Sequence, residues 1–362
     1  MSAPTLAPRP AGDLALITGG AGFVAANVAD RLLSQGTRVR LFDNLSRAGV
    51  ERNVQWLQDR HGRQVEFVAG DVRDQAAVRA AVRGVSRVFH FAAQVAVTTS
   101  LVDPFLDFEV NARGTLNLLE AIRALETRPS LLFTSTNKVY GDLEDVPLRR
   151  VGRRYEVEHP ALAAQGIGED RPLDFHSPYG CSKGAAEQYV LDYARTFGLP
   201  ATVFRMSCIY GPHQFGTEDQ GWVAHFLISA LDGRPLTLYG DGLQVRDILF
   251  VEDLVDAMLL AHDRIDRVAG RAFNIGGGPE RALSLLELLD LLGDLLGQAP
   301  VFRVEPWRPA DQRYYVSNTA RFQAATGWQP ATPVRSGLER LLAWLQASRR
   351  EPARPLAGQV AS

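Results

Sequence analysis

The chain has 362 residues, 46% of them hydrophobic, with a formal net charge of −2. That length allows two domains, or one large α/β unit with an appended lobe, and the near-neutral charge excludes a broad basic surface for nucleic acid. No run of about 18 apolar residues occurs, which argues against a membrane span, and the only two cysteines, Cys181 and Cys208, fit a reducing compartment.

Residues 1–11 are rich in Pro and Ala and lack an apolar core. No signal peptide is expected, and the location reads as cytoplasmic. Residues 1–11 and 348–362 read as mobile tails. Leu14 to Thr18 is a short apolar run that ends in Gly19-Gly20-Ala21-Gly22. A helical pattern follows through Phe23, Val24, Val28, Leu32 and Leu33, and Gly36 stops it. A strand over 39–42 ends at Asp43, 21 residues past Gly22. Strand, glycine turn, helix, strand and acid make a dinucleotide-binding βαβ unit. Gly19 and Gly22 admit a pyrophosphate at the helix N-terminus. Ala25 takes the third small position. Asp43 is placed for the adenosine ribose and would repel a 2′-phosphate, which favours NAD over NADP, although Arg47 stands nearby.

The alternation continues with strands over 65–68 and 88–91. The first leads to Gly70, Asp71 and Val72, placed to meet the adenine. The second leads to Ala92 and Ala93, whose small size lets a cofactor cross the strand ends or simply packs. One long helix is expected over 107–125. Asn111 within it either anchors the active-site network or satisfies a buried backbone group. A strand over 131–134 runs on to Thr136, at the carboxyl end where doubly wound sheets bind ligands. Residues 149–171 read as an irregular loop. Ser177 can cap the next helix, with Pro178 in its first turn. Tyr179 and Lys183 then lie four apart on one face. The Lys183 ammonium and the helix dipole should lower the Tyr179 phenol toward neutrality and make it a general base. A surface Tyr and Lys on an amphipathic helix is the bland alternative.

A sixth strand covers 201–204, after which the βα rhythm weakens and a second lobe begins. It should hold helices over 221–231 and 285–296 and strands over 236–239 and 301–304. Segments 245–250 and 272–275 read as strands returning to the first lobe. The expected class is thus α/β, a Rossmann-type doubly wound parallel sheet with a smaller C-terminal α/β substrate lobe. Residues 12–207, with about 245–262 and 272–276, form the NAD-binding domain; 208–244 and 277–347 form the substrate lobe.

TGGAGFV at 18–24, GDV at 70–72, VYG at 139–141, YGCSK at 179–183, YGP at 210–212 and VRDILFVEDL at 245–254 together resemble the extended short-chain dehydrogenase/reductase family, in its nucleotide-sugar epimerase and dehydratase branch. Ala25 is a departure, because most relatives carry glycine there. The resemblance implies a catalytic set of Thr136, Tyr179 and Lys183. It implies NAD held by Gly19, Gly22, Phe23, Val24, Asp43, Asn44, Asp71, Val72, Ala92, Ala93 and Asn111, with Tyr179 and Lys183, and no metal. Substrate contacts are expected from Thr98, Thr136, His176, Cys208, His213 and Gln214. Arg246, Arg308 and Arg313 are expected near a nucleotide and its diphosphate, the alternative for each being a structural ion pair, such as Arg246 with Asp241 or Asp247.

STNKVYGD at 135–142, LDFHSPYGCSKG at 173–184 and RMSCIYGPHQFGTEDQGWVAHF at 205–226 resemble the branch that inverts C2 of CDP-paratose and CDP-tyvelose. The implied activity is oxidation of C2 to a ketone and hydride return to the other face. A 4,6-dehydratase is disfavoured, since relatives of that type carry Asp-Glu after the catalytic Thr, where this chain has Asn137-Lys138. A UDP-sugar 4-epimerase is the runner-up, and a non-catalytic NAD-binding sensor stands behind it. The implied partner is a CDP-sugar, with no nucleic acid and no membrane, in a homo-oligomer, dimer or tetramer.

Overall fold

The computed structural model describes residues 13–308 and 311–350. The first part alternates β1 (Leu14–Thr18), α1 (Phe23–Ser34), β2 (Arg38–Asp43), α2 (Glu51–His61), β3 (Val65–Ala69), α3 (Gln75–Ala81) and β4 (Arg87–His90). Then come α4 (Val97–Val102), α5 (Pro104–Phe108), a π turn (Glu109–Arg113), α6 (Gly114–Arg123) and β5 (Ser130–Thr136). A 3₁₀ turn (Asn137–Tyr140), the hairpin β6 (Leu148–Val151) and β7 (Arg154–Val157), and α7 (Pro160–Gln165) lead to α8 (Ser177–Phe197) and β8 (Ala201–Met206). Next are β9 (Cys208–Tyr210), α9 (Trp222–Leu231), β10 (Leu236–Tyr239), β11 (Val245–Phe250), α10 (Val251–Asp263), α11 (Ile265–Val268) and β12 (Ala272–Ile275). The chain continues through β13 (Ala282–Ser284), α12 (Leu285–Leu296), β14 (Phe302–Glu305), β15 (Tyr314–Tyr315), α13 (Ala320–Thr326) and α14 (Val334–Arg350).

Seven strands form one parallel sheet in the order β12-β8-β5-β4-β1-β2-β3. The strands read as continuous apolar runs because helices cover both faces. Ile17, Leu41 and Phe89 pack with α1, α2 and α10, while Leu16, Phe42 and Val88 pack with α3, α6 and α8. The order reverses between β1 and β4, and a crevice at the carboxyl ends of strands is the ligand position of such a sheet. Thr18, His90 and Thr136 end β1, β4 and β5 there.

Several expectations need correction. Segment 149–171 is not irregular: β6 and β7 pair as a hairpin, and the Tyr155 N–H donates to the Leu243 carbonyl at 2.9 Å, which ties the insertion to the second lobe. The expected helix over 107–125 begins earlier, at Pro104, and is broken by the π turn. β12 joins the large sheet as expected, but β11 does not. It pairs with β9, β13 and β15 instead. A fully apolar run such as Ile248-Leu249-Phe250 suits either sheet, and its pairing follows from β9, which leaves the large sheet just after β8. The second lobe also pairs β10 with β14 and buries Phe226, Leu227, Leu288, Leu292, Leu338 and Leu341. Residues 348–350 complete α14, while 1–11 and 351–362 lie outside the described residues. No described helix is long and apolar enough to cross a membrane.

Candidate active site

The dinucleotide end is shaped by backbone. Gly19 has φ 67°, and a Cβ there would come within 2.7 Å of the Ala92 nitrogen. Among the described residues no side chain caps α1 at Gly22, so its first N–H groups are left to face an anion. Asp43 closes β2 beside that turn. Its carboxylate accepts from Ala21 N–H at 3.1 Å and Leu45 N–H at 2.7 Å, which fixes its direction. Burial pushes this carboxyl up, against those two bonds and the nearby Arg47 charge. Asn44 donates to Asp71 at 2.9 Å, and Arg73 holds the Asp71 carboxyl well below the usual range. The Val72 side chain is core, packed on Gly114, and its carbonyl accepts from Asn117 at 3.0 Å. Phe23, Val24, Ala92 and Ala93 lie half-buried at the start of α1 and just past β4. This glycine cradle, with an acid oriented at the end of β2, fits a dinucleotide.

Helix α8 starts tightly. Ser177 has φ 65°, and its Oγ accepts from Gly180 N–H at 3.3 Å, so the expected cap acts from the helix's first residue. Tyr179 N–H donates to Ser100 Oγ at 3.2 Å, which pins this end to α4. Tyr179, Lys183 and Glu187 follow at four-residue spacing on one buried face. The Thr136 hydroxyl hydrogen-bonds the Tyr179 phenol. Thr136 Oγ1 also accepts from Lys138 N–H at 3.2 Å, so it caps the 3₁₀ turn.

The electrostatics depart from the expectation. Burial pushes Tyr179 up to about 12, against the Thr136 bond and with the Asp107 charge adding to the rise. Burial brings Lys183 down to about 7, opposed by the fields of Glu187 and Asp107. The Lys183 ammonium sits over the Phe133 ring, 4.2 Å from its centroid. At both groups desolvation is the largest influence, so it outweighs the expected lowering of the Tyr179 phenol.

Asn111 lies in the π turn. Its Nδ2 donates to the Gln94 carbonyl at 3.1 Å and to Ser182 Oγ at 3.0 Å, and its Oδ1 accepts from Gln94 N–H at 2.8 Å. It thereby joins the loop after β4 to α8. Behind the helix, Glu187 accepts from Arg205 Nε at 3.0 Å, Arg205 donates to the Tyr140 hydroxyl at 2.8 Å, and Tyr140 donates to Asn274 Oδ1 at 2.8 Å. Glu187, Arg205 and His90 escaped the sequence reading. The only available signal was the four-residue step from Lys183 to Glu187.

The substrate candidates divide into groups. Arg246 donates to Asp311 at 2.9 Å, and Lys138 lies 3.5 Å from the same oxygen, so the ion pair is with Asp311 rather than Asp241 or Asp247. Burial raises the Cys208 thiol, while the Arg246 and Lys138 charges oppose the rise. Thr136, Lys138, Cys208, Arg246 and Asp311 are thus one neighbourhood. Thr98 Oγ1 and Gln214 Oε1 are buried without a hydrogen-bond partner among the described residues. Arg308 stands apart, 3.8 Å above the Tyr239 ring and paired with Glu218 and Asp219, and Arg313 is exposed near Trp307. His176 is bracketed by Asp142 at 3.0 Å and Asp174 at 3.1 Å. The His213 ring lies tilted, its centroid 3.8 Å from that of Trp56 and 5.2 Å from that of Trp344, and packs the loop after β9 onto α2.

Residues 15–276 match the model of the NAD dependent epimerase/dehydratase family. The chain is 44% identical over 337 residues to a CDP-paratose 2-epimerase of Salmonella typhi, covering 91% of this chain and 98% of that protein. It is 34% identical over 340 residues to a dTDP-glucose 4,6-dehydratase of Streptomyces griseus, covering 92% and 94%. Its fold superposes on the Thermus thermophilus UDP-glucose 4-epimerase solved with NAD, with a TM-score of 0.77, 32% identity, and coverage of 92% and 99%. With its glycine cradle, its Thr136-Tyr179-Lys183 set and this match, the chain belongs to the NAD dependent epimerase/dehydratase family.

Proposed function

We propose that the protein inverts C2 of a CDP-sugar, with CDP-paratose and CDP-tyvelose as the pair favoured and CDP-glucose and CDP-mannose as further candidates. The observation that carries this reading is the turn after Thr136. It presents Asn137, whose Nδ2 donates to Gln312 Oε1 at 2.9 Å, and Lys138, set against Asp311. Elimination of water needs a free acid and base beside the oxidised carbon. This turn offers an amide and an ammonium, and the neighbouring Asp311 is already engaged by Lys138 and Arg246. Oxidation and reduction without elimination is epimerisation. The similarity to a CDP-paratose 2-epimerase supports C2 as the centre, and the runner-up is a UDP-sugar 4-epimerase using the same catalytic groups.

Gly19, Gly22, Asp43, Asn44 and Asp71 would hold NAD, whose nicotinamide supplies a reversible hydride acceptor. Tyr179 takes the proton of the C2 hydroxyl, and Thr136 holds the same oxygen by a hydrogen bond. C2 becomes a planar ketone. After the ketosugar turns over, Tyr179 returns the proton, and the net reaction consumes no cofactor. Lys138 and Arg246 supply positive charge for a diphosphate.

A homo-oligomer is part of this reading. Val102 (85% exposed), Phe105 (82%) and Phe108 (53%) leave a bare apolar face on α4 and α5, which a second copy would cover. A cytoplasmic location agrees with two free thiols. The test is incubation with CDP-, UDP-, GDP- and dTDP-sugars and NMR of the product stereocentres. CDP-sugar labelled with deuterium at C2 should give a C2-inverted product that keeps the label in ordinary water. Loss of label to solvent would sink the hydride route, and inversion confined to C4 would promote the runner-up.

A further inference from the structure

The second lobe leaves one apolar rim open. In the parallel pair β10-β14, Leu236 stands beside Phe302 and Leu238 beside Val304. Residues paired in this way share a face of the sheet. Leu236 and Leu238 are buried in the core of the second lobe, with residues of α9, α12 and α14. One strand further out, on the same face, Phe302 is 42% and Val304 59% exposed. The core face of this sheet therefore runs out to an edge that nothing among the described residues covers.

The backbone of that edge is open as well. The N–H groups of Leu236 and Gly240 donate to the carbonyls of Val301 and Glu305 at 2.8 and 2.9 Å. Bonded residues alternate along a parallel ladder, so residues 301, 303 and 305 bond inward. Phe302 and Val304 turn their N–H and C=O groups outward, and among the described residues β14 ends its sheet. An open backbone row beside an uncovered apolar face is a template for another strand.

The charges select which strand. The other face of β14 carries Arg303 and Glu305, 4.0 Å apart, and the strand lies between Pro300 and Pro306. Suppose β14 pairs with itself, antiparallel, about a two-fold axis at Val304. Arg303 then stands opposite the partner's Glu305, and Glu305 opposite the partner's Arg303. Phe302 and Val304 of both copies form one apolar stripe on the other face. The Val304 N–H meets the partner's Val304 carbonyl, and the Phe302 N–H meets the partner's Pro306 carbonyl, so every outward donor is satisfied. An axis at Arg303 would set like charges directly opposite, which is destabilising. An axis at Phe302 would leave Arg303 facing the partner's Val301 without an acid.

We propose that β14 is a contact between copies of this chain, joining two second lobes into one continuous sheet, β10-β14-β14-β10. The contact is isologous, with the same strand on both sides. It lies on a different element from the apolar face of α4 and α5, and it holds whatever sugar the protein turns over.

Sedimentation velocity of the full chain over a concentration series tests it, with Val304→Lys, Arg303→Glu and the double exchange Arg303→Glu/Glu305→Arg. Circular dichroism establishes that each variant is folded. Val304→Lys sets two ammonium groups at the axis and should halve the mass of the wild-type assembly. Arg303→Glu should do the same, and the double exchange should restore the mass, because the same pairs form with their signs swapped. Hydrogen exchange read by mass spectrometry needs no variant: the amides of Phe302 and Val304 should gain protection in the wild type as its concentration rises. A wild type that stays monomeric with those amides open, or an assembly whose mass Val304→Lys leaves unchanged, would overturn the contact. So would a loss in Arg303→Glu that the double exchange fails to recover. Dissociation by Val102→Lys alone, with Val304→Lys assembling as the wild type does, would assign association to the α4 and α5 face instead.

Discussion

Burial moves Tyr179 and Lys183 in opposite directions, the phenol up to about 12 and the ammonium down to about 7, and in each case the neutral form gains. Burial alone therefore favours the phenol over the phenolate at Tyr179. Tyr179→Phe should therefore leave the fold and the cofactor in place and lower turnover by about 10²–10⁴-fold, the range of general acid–base catalysis. Wild-type turnover in that variant, measured with saturating substrate, would remove Tyr179 from the mechanism. His213 gives a second prediction at this scale. Burial against the rings of Trp56 and Trp344 brings it down to about 4. Its folded pKa thus lies below the value of about 6.5 in the unfolded chain. Between these values the unfolded state binds more protons, so this contribution is complete above about 6.5 and is lost as pH falls toward 4. Urea midpoints should drop between pH 7 and pH 5, and His213→Phe should narrow the drop. An equal drop in the variant would assign it to other groups, with buried His90 the first candidate.

At the scale of elements, α8 was legible because its signals are local. Ser177, Pro178 and the four-residue step from Tyr179 to Lys183 need no knowledge of the rest of the chain. The partner that locks its far side was not legible, since Arg205 comes from β8 and joins Glu187 only once sheet and helix have packed. Removing one member of a buried pair leaves an uncompensated charge. Arg205→Met should therefore cost about 3–5 kcal/mol of stability, measured by chemical unfolding. A loss below about 1 kcal/mol would mean that Tyr140 and Asn274 alone hold the helix. The π turn was hidden for a related reason. Residues 109–113 carry no Pro or Gly, and the break pays for itself only through the bonds that Asn111 makes to Gln94 and Ser182.

For the whole molecule, the doubly wound parallel sheet followed from the βα rhythm, which depends on neighbours in sequence. The pairing of β11 did not, because an apolar strand fits any sheet and only the early departure of β9 decides which. The hairpin at 148–157 was missed because its residues are charged: Arg154 donates to the Ala282 carbonyl at 2.9 Å, and the Tyr155 hydroxyl donates to Asp241 at 2.6 Å. These are contacts with residues more than 80 positions away, which composition cannot reveal.

The place of β12 has a consequence for biosynthesis. The outermost strand beside β8 is residues 272–275, and more than 60 residues, part of the second lobe and α10 among them, intervene. A ribosome therefore releases six strands of the sheet well before the seventh. During that interval β8 presents a row of open backbone groups, the template on which edge-to-edge association starts. The nascent chain is most vulnerable while β9 to β11 are being made, and the last strand that protects the sheet arrives soon after the helix α10, which covers one of its faces.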